Sequence, residues 1–429
     1  MTRTYKTFVI ENSDAFAAQC VLWSKQFREV IVLDSNEHKL PYHSIDKMIA
    51  CDAMTSIQTD DFLQLKEYQS HIRDWCFGFI TYDVKNQVFD VTSLNNDELE
   101  FYEMSFFQPK RLITIKDTTV EFAYLGCCDD EIESDYNEII TTHISTSYSD
   151  ESIDLMPRVS FERYQEQFNK AIQYIKRGDT YELNYCVEFY HSGTAINPYS
   201  FYNVLNNQAK SSFASFVKWN NTFAMCASPE RYLKKLGTKV VSQPIKGTAK
   251  RGKTEGEDEQ LIQDLKAHPK ERAENVMIVD LVRNDLSKIA TKNSVKVEEL
   301  CEVYSFSHVH QMISTVSCEV EFSTQPLDIV FETFPMGSMT GVPKKRTLEI
   351  IEELEDHKRG LYSGTIGYIT PENDFDFNVV IRTLLYNSSK KYLSLSVGSA
   401  VTYNANAEDE YKECLLKASA IRNLLLQND

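Results

Sequence analysis

The stretch Tyr181-Glu182-Leu183-Asn184-Tyr185-Cys186-Val187-Glu188-Phe189 places an apolar residue at every second position. Strand side chains alternate between two faces, so this period predicts a half-buried strand. Upstream, Ser160 can cap a helix with apolar positions Phe161, Tyr164, Phe168, Ile172 and Ile175, closed by Gly178. Downstream, strands are expected at 212–218, 223–227, 232–236 and 239–245, the last two joined around Gly237. Helices follow at about 257–267 and 269–286, then a helix at 343–354 and strands at 362–370, 375–386 and 392–397. A helix at about 407–426 comes last. Strand clusters separated by helices, without strict β-α alternation, predict an α+β fold of large layered, mostly antiparallel β-sheets with helices packed outside.

Residues 1–125 alternate strand-like and helical pieces: Val30-Ile31-Val32-Leu33 reads as a buried strand, Phe62 to Trp75 as a helix, Trp75 to Val84 as an apolar strand region. From Cys128 to Asp154 the composition turns to Asp, Glu, Ser and Thr, the mark of an exposed connector. It divides an N-terminal region, 1–150, interleaved with the core, from a larger C-terminal region, 155–429. An irregular excursion within one domain is the alternative. There is no internal repeat of solenoid period.

The chain has 429 residues, 42% of them apolar and 25% charged, with mean hydropathy −0.37, which describes a soluble globular protein. Its 45 basic and 63 acidic residues leave a net charge of −18, which argues against nucleic acid and against a polybasic membrane anchor. An anionic small molecule stays open, because a pocket can reverse the local sign. Ten cysteines offer no zinc or disulfide spacing, since the only close pair is Cys127–Cys128, and reduced, buried thiols are expected. The apolar run Phe8-Val9-Ile10 is too short for a signal segment, and no run approaches the ~20 apolar residues of a membrane span. A cytoplasmic protein is expected.

Four segments could carry chemistry. In 270–285, Glu271, Glu274, Ile278 and Leu281 share one helix face, polar where it starts and apolar further on. Glu410, Glu413, Lys417, Ala420 and Leu424 repeat the pattern in the last helix. One such stripe could be a solvated helix start with acids at the dipole's positive end. Two of them favour a shared Mg²⁺ site, because carboxylates aimed at a core need a cation or a proton. Pro335-Met336-Gly337-Ser338-Met339-Thr340-Gly341-Val342-Pro343-Lys344 lacks the spacing and ending of a phosphate loop. It remains a Gly-rich turn into a helix with Pro343 at its first position, where free N–H groups could bind a carboxylate or simply be capped. Finally, Gln243-Pro244-Ile245-Lys246-Gly247-Thr248 sets a lysine beyond an apolar strand. Most lysines are solvated, but a desolvated one can lose its proton and act as nucleophile or base.

Taken together these segments resemble the chorismate-utilising enzymes: anthranilate and aminodeoxychorismate synthase component I, and the isochorismate and salicylate synthases. The likeness rests on Gly178-Asp179-Thr180-Tyr181, Ala227-Ser228-Pro229-Glu230-Arg231, Pro244 to Thr248, Ala273 to Asp285, Phe334 to Lys344, Leu361 to Tyr368 and Glu410 to Lys417, covering about residues 160–425. It implies the fold of anthranilate synthase component I. Lys246 points within the family to the aminodeoxychorismate (para-aminobenzoate) synthase branch, since the anthranilate branch carries alanine there. Isochorismate-type members place a water-activating lysine where this sequence has Glu182.

That resemblance implies conversion of chorismate and ammonia to 4-amino-4-deoxychorismate for p-aminobenzoate and folate synthesis, the ammonia coming from a glutamine amidotransferase partner. Lys246 would be the covalent nucleophile and Glu230 the general acid. Glu274 and Glu413, with Glu271 and Glu410, would hold Mg²⁺, and Thr248, Tyr362, Arg382, Gly398, Lys417 and Gln311 would line the substrate site. The sequence departs from the pattern where Gln311 stands for a histidine, so that either the histidine is not essential in this branch or His310 substitutes for it, and at Gly398-Ser399-Ala400 and Asn404. The alternatives are an anthranilate synthase component I and a chorismate-binding subunit without catalysis.

Overall fold

The 181–189 alternation belongs to a strand buried on both faces. In the computed structural model, which describes residues 2–38, 40–43, 46–149 and 151–426, Glu182–Ser192 is buried from Glu182 through Phe189. It pairs along ten residues with Tyr392–Val401, from Tyr392↔Ser192 to Val401↔Leu183. On its other edge lie Gly341–Val342 and Met156–Pro157. Its polar positions therefore face other protein groups rather than water. Glu188 accepts from the Tyr392 hydroxyl at 2.9 Å and from Ser394 Oγ at 2.7 Å, and the Cys186 N–H donates to Glu355 at 2.9 Å. The helix before it is Phe161–Arg177, with Ser160 accepting from the Arg163 N–H and Gly178 ending it at φ 87°. Only glycine adopts that left-handed stop without strain.

Every ladder is antiparallel. The mutually paired long strands Lys47–Thr59 and Met104–Lys116 feed two layers. One layer continues through Glu29–Asp34, Phe213–Trp219, Thr222–Ser228, Thr383–Asn387 and Tyr392–Val401 to Glu182–Ser192. The other runs through Cys76–Ile80, Thr365–Ile369, Phe375–Asn378, Arg231–Leu236, Lys239–Gln243 and Val309–Glu319, with Ile245–Lys250 and Lys296–Ser305 at its end. One apolar cluster fills the space between the layers, where Trp219 meets Phe79 and Phe107 edge-on at 5.7 and 5.8 Å. A second packs the helices Ser13–Trp23, Phe161–Arg177 and Ala407–Leu426 against the first layer. The α+β, layered antiparallel architecture is the one the strand clusters predict.

Four local expectations change. The 239–245 strand breaks at Pro244, which has no N–H for the ladder, and the chain resumes as Ile245–Lys250 with a register shift. The 375–386 strand is two, because the chain crosses from one layer to the other between Asn378 and Thr383. The 128–154 connector holds a packed helix, Ile132–Thr141, whose Ile132 and Ile139 are buried and whose Asp135 accepts from Arg111 at 3.0 Å; Asp150 lies outside the described residues. Pro343 caps the helix Lys344–Leu354 and is not its first residue. All ten cysteines are free, with only Cys127 exposed. Among the described residues no helix is long and apolar enough to cross a membrane.

The layer crossings position chemistry. Pro229 and Glu230 link Thr222–Ser228 to Arg231–Leu236, and residues 379–382 make the parallel passage back. The Val379 N–H bonds to the Glu230 carbonyl at 3.0 Å and the Ala227 N–H to the Arg382 carbonyl at 3.1 Å, fixing one crossing against the other.

Candidate active site between the layers

Two carboxylate pairs approach each other from different helices. Pro269–Ser287 opens with proline, and His268 Nδ1 accepts from the Glu271 N–H at 3.4 Å. Lys270 Nζ lies 3.8 Å from Glu274 Oε1 and 3.6 Å from Glu410 Oε1 on Ala407–Leu426, so it stands between the two helices. Glu413 pairs with Lys417 at 2.7 Å, and Lys417 also donates to the Gly398 carbonyl at 2.8 Å. Burial and the Glu413 charge push the Glu410 carboxyl up to about 7. Glu271 is raised by burial and by Glu274. For Glu413 burial acts upward too, but Lys417, with Lys246 and Lys270 behind it, holds the carboxyl below its usual value.

Carboxylates raised by one another attract a cation, and an all-oxygen donor set suits Mg²⁺. As placed, no three His, Cys, Asp or Glu groups among the described residues converge on one point, and Lys270 stands between Glu274 and Glu410. The chemistry of the four donors fits a hard divalent ion.

Lys246 comes from the facing layer. Buried Asn275 clamps its strand to the helix: Nδ2 donates to the Lys246 and Met312 carbonyls, each at 3.3 Å, while Oδ1 accepts from Ser314 Oγ at 2.5 Å. Gly247 follows at φ 96°, where a Cβ would come within 3.3 Å of Glu271 Oε2. The Lys246 side chain is 19% exposed, and its one ion pair among the described residues is with Glu182 Oε1 at 3.8 Å. Burial acts to lower this lysine, but Glu182, Glu274, Glu230 and Glu413 together outweigh it, so the ammonium is held above its ordinary value.

Glu230 is buried at the layer crossing, and burial pushes its carboxyl up to about 7 against the hydrogen bond from Ser338 and the charges of Lys246 and Arg382. Arg382 adopts the left-handed backbone, φ 51°, which costs a non-glycine residue energy and recurs at functional sites. Burial lowers its pKa against Glu230, and among the described residues no carboxylate forms an ion pair with it. A guanidinium sequestered in this way is a ready carboxylate receptor. Tyr362 is buried, and its hydroxyl bonds to Cys186, with burial raising its pKa well above the usual value. Gly398 opposes Cys186 in the ladder, and a Cβ on it would strike Asn184 Oδ1 at 2.5 Å.

Thr248 and Gln311 face each other across their ladder, which puts Gln311 on the Thr248 side. His310 is not its substitute. Its ring nitrogens are taken by Ser305 Oγ at 2.8 Å and Asp258 Oδ1 at 2.9 Å. A cavity of about 740 Å³ beside Asp14, Asp34, Tyr202 and Lys210 takes in none of the candidate catalytic, metal-holding or substrate residues.

Three residues escaped the sequence reading: Asn275, Ser338 and Glu182. Asn275 had a signal, being polar on the stripe it shares with Ile278, Val279, Val282 and Leu286, all buried. Ser338 lay within the Gly-rich turn and Glu182 at the position where isochorismate-type members carry a lysine, but the partners that give them weight, Glu230 and Lys246, come from distant parts of the chain.

Comparison with known proteins gives a consistent set. A family model described as chorismate binding enzyme matches residues 15–423. The chloroplastic aminodeoxychorismate synthase of Arabidopsis thaliana is 32% identical over 410 residues, which are 94% of this chain and 43% of that protein. Aminodeoxychorismate synthase component 1 of Bacillus subtilis is 32% identical over 361 residues, 81% of this chain and 76% of the relative. This chain thus spans less than half of the plant protein and about three quarters of the bacterial one. Anthranilate synthases also stand among the relatives. In structure, anthranilate synthase component I of Streptococcus pneumoniae superposes with a TM-score of 0.77 over 90% of this chain and 94% of that one, at 24% identity, which speaks to the fold.

Proposed function

The chain belongs to the chorismate-binding enzyme family, and from that premise we propose that it aminates chorismate to 4-amino-4-deoxychorismate, with Lys246 as covalent nucleophile. The observation that carries the reading is the Lys246 ammonium, set between the layers and surrounded by Glu182, Glu230, Glu274 and Glu413. Chorismate carries two carboxylates, and a net charge of −18 needs local reversal to receive it. Arg382, with no carboxylate of its own, supports binding of the enolpyruvyl carboxylate together with Tyr362. Thr248, Gln311, Gly398 and Lys417 complete the proposed pocket, with Gln311 restricted to hydrogen bonding.

Glu274 and Glu413, helped by Glu271 and Glu410, would hold Mg²⁺, which when bound supplies Lewis-acid withdrawal of electron density through the ring carboxylate. Lys246 Nζ attacks C2 while the C4 hydroxyl leaves with a proton from Glu230. Ammonia then adds at C4 and Lys246 departs from C2. Two easier displacements replace one hard one. The ammonia is proposed to come from a glutamine amidotransferase subunit, with residues 1–150 a structural or partner-facing region and 155–429 the catalytic domain. Ten free thiols fit a reducing, cytoplasmic setting.

The full chain given chorismate, Mg²⁺ and ammonium should release 4-amino-4-deoxychorismate, identified by mass and chromatography. Anthranilate or isochorismate as the product would overturn the assignment. Glu230 adds a pH signature. Its carboxyl, raised to about 7, donates only while protonated. Turnover should hold below that value and fall about tenfold per pH unit well above it, which an initial-rate profile at saturating ammonia will check.

A further inference from the structure

We propose that Glu182 is the group that takes the ammonium proton from Lys246, so that the lysine reaches chorismate as a free amine. This rests on the amination reading above.

Lys246 starts the cycle as an ammonium paired with Glu182, whose Oε1 lies 3.8 Å from Nζ. A proton must leave before Nζ has an electron pair to offer. Four carboxylates face the lysine: Glu182, Glu274, Glu230 and Glu413. Glu274 and Glu413 belong to the cluster assigned to the cation, and neither is within ion-pair distance of Nζ. Glu230 has to arrive carrying its own proton for the departing hydroxyl. Glu182 is the carboxylate left, and it is also the nearest.

Its setting is unusual for an acid with a structural duty. Glu182 is 3% exposed, Oε1 stands 3.8 Å from Lys246 Nζ, and Oε2 has no hydrogen-bond partner among the described residues. A buried carboxylate kept only for the fold would be expected to have both oxygens satisfied. Burial, with Glu274 adding to it, raises the Glu182 carboxyl against the pull of Lys246, which makes it a better proton acceptor. Its backbone is fixed by pairing with Val342, and the neighbouring Leu183 is fixed by pairing with Val401. The oxygen therefore addresses Lys246 from a rigid strand of the opposite layer.

The balance closes. An N–H bond of Lys246 breaks, its proton goes to Glu182 and its electron pair forms the C2–N bond. The C4–O bond breaks and the hydroxyl leaves as water with the Glu230 proton. Ammonia forms the C4–N bond, the C2–N bond breaks, and the lysine leaves as a neutral amine. Glu182 returns its proton to that amine, and the C4 ammonium gives one proton to Glu230, restoring both acids. Because Glu182 acts through Lys246, it is a positioning and proton-holding residue for the nucleophile.

The test uses the full chain with chorismate, Mg²⁺ and ammonium. Glu182→Gln keeps the shape and removes a buried charge, so the fold should persist. With solvent alone left to deprotonate the lysine, kcat at pH 8 should fall by about 10²-fold, with KM for chorismate within about twofold. The ratio of wild-type to variant kcat should then narrow by about tenfold per pH unit as pH rises. In Glu182→Ala, added formate should restore part of kcat where chloride does not. A deficit equal at every pH, no deficit at all, or indifference to formate would each overturn the proposal. Failure of the amination reading is separate, since it appears in the unsubstituted chain as a different product or none.

Discussion

Replacing Lys246 with alanine is expected to lower kcat by roughly 10³-fold or more, because the covalent route loses its only nucleophile. Lys246→Arg should be as inactive, although it preserves the charge among Glu182, Glu230, Glu274 and Glu413. A guanidinium does not give up its proton in a protein. The pair of variants thus separates nucleophile from counter-charge: an electrostatic role would survive in arginine, a nucleophilic one in neither. KM for chorismate should change little, since the proposed carboxylate grip lies with Arg382 and Tyr362. Steady-state kinetics with ammonium, alongside melting curves for both variants, decide the matter. An unchanged kcat in Lys246→Ala takes the lysine out of the mechanism.

The largest stability effect should come from Arg359. It is fully buried and its guanidinium holds Glu355 at 2.9 and 2.6 Å, the Met339 and Asn184 carbonyls each at 2.8 Å, and Ser363 Oγ at 3.2 Å. Glu355 in turn accepts from the Cys186 N–H. One cation therefore ties the Glu182–Ser192 strand to the loop ahead of Lys344 and to the turn before Thr365. Arg359→Met strands Glu355 as an uncompensated buried charge, which costs about 3–5 kcal/mol. Urea unfolding should show a lower midpoint with an unchanged slope. Adding Glu355→Leu should recover part of the loss, since removing both partners is far less costly than removing one. A single variant within about 0.5 kcal/mol of the parent would contradict the assignment.

Much of this was legible in the chain. Ser160 and Gly178 bound their helix where capping chemistry says, and the Glu271/Glu274 and Glu410/Glu413 stripes do approach each other across two helices. The alternation at 181–189 misled for a physical reason. A polar residue at every second position means water in an ordinary sheet, whereas here Glu182, Asn184 and Glu188 face the protein interior. Period alone cannot separate a solvent face from a polar interior. Neither could it give the layer crossings at Glu230 and Arg382, which arise from pairings made far apart in sequence.

Those distant pairings also govern how the chain can assemble. Glu29–Asp34 lies between Lys47–Thr59 and Phe213–Trp219, and Cys76–Ile80 lies between Met104–Lys116 and Thr365–Ile369. During synthesis both early strands therefore emerge with one edge open, and the second waits for nearly three hundred further residues. Such non-local closure is slow, and open apolar edges invite wrong partners meanwhile. The same wiring that brings Lys246 and Glu182 together from opposite layers leaves the nascent chain exposed until its last third is made, a stage at which chaperone capture would matter most.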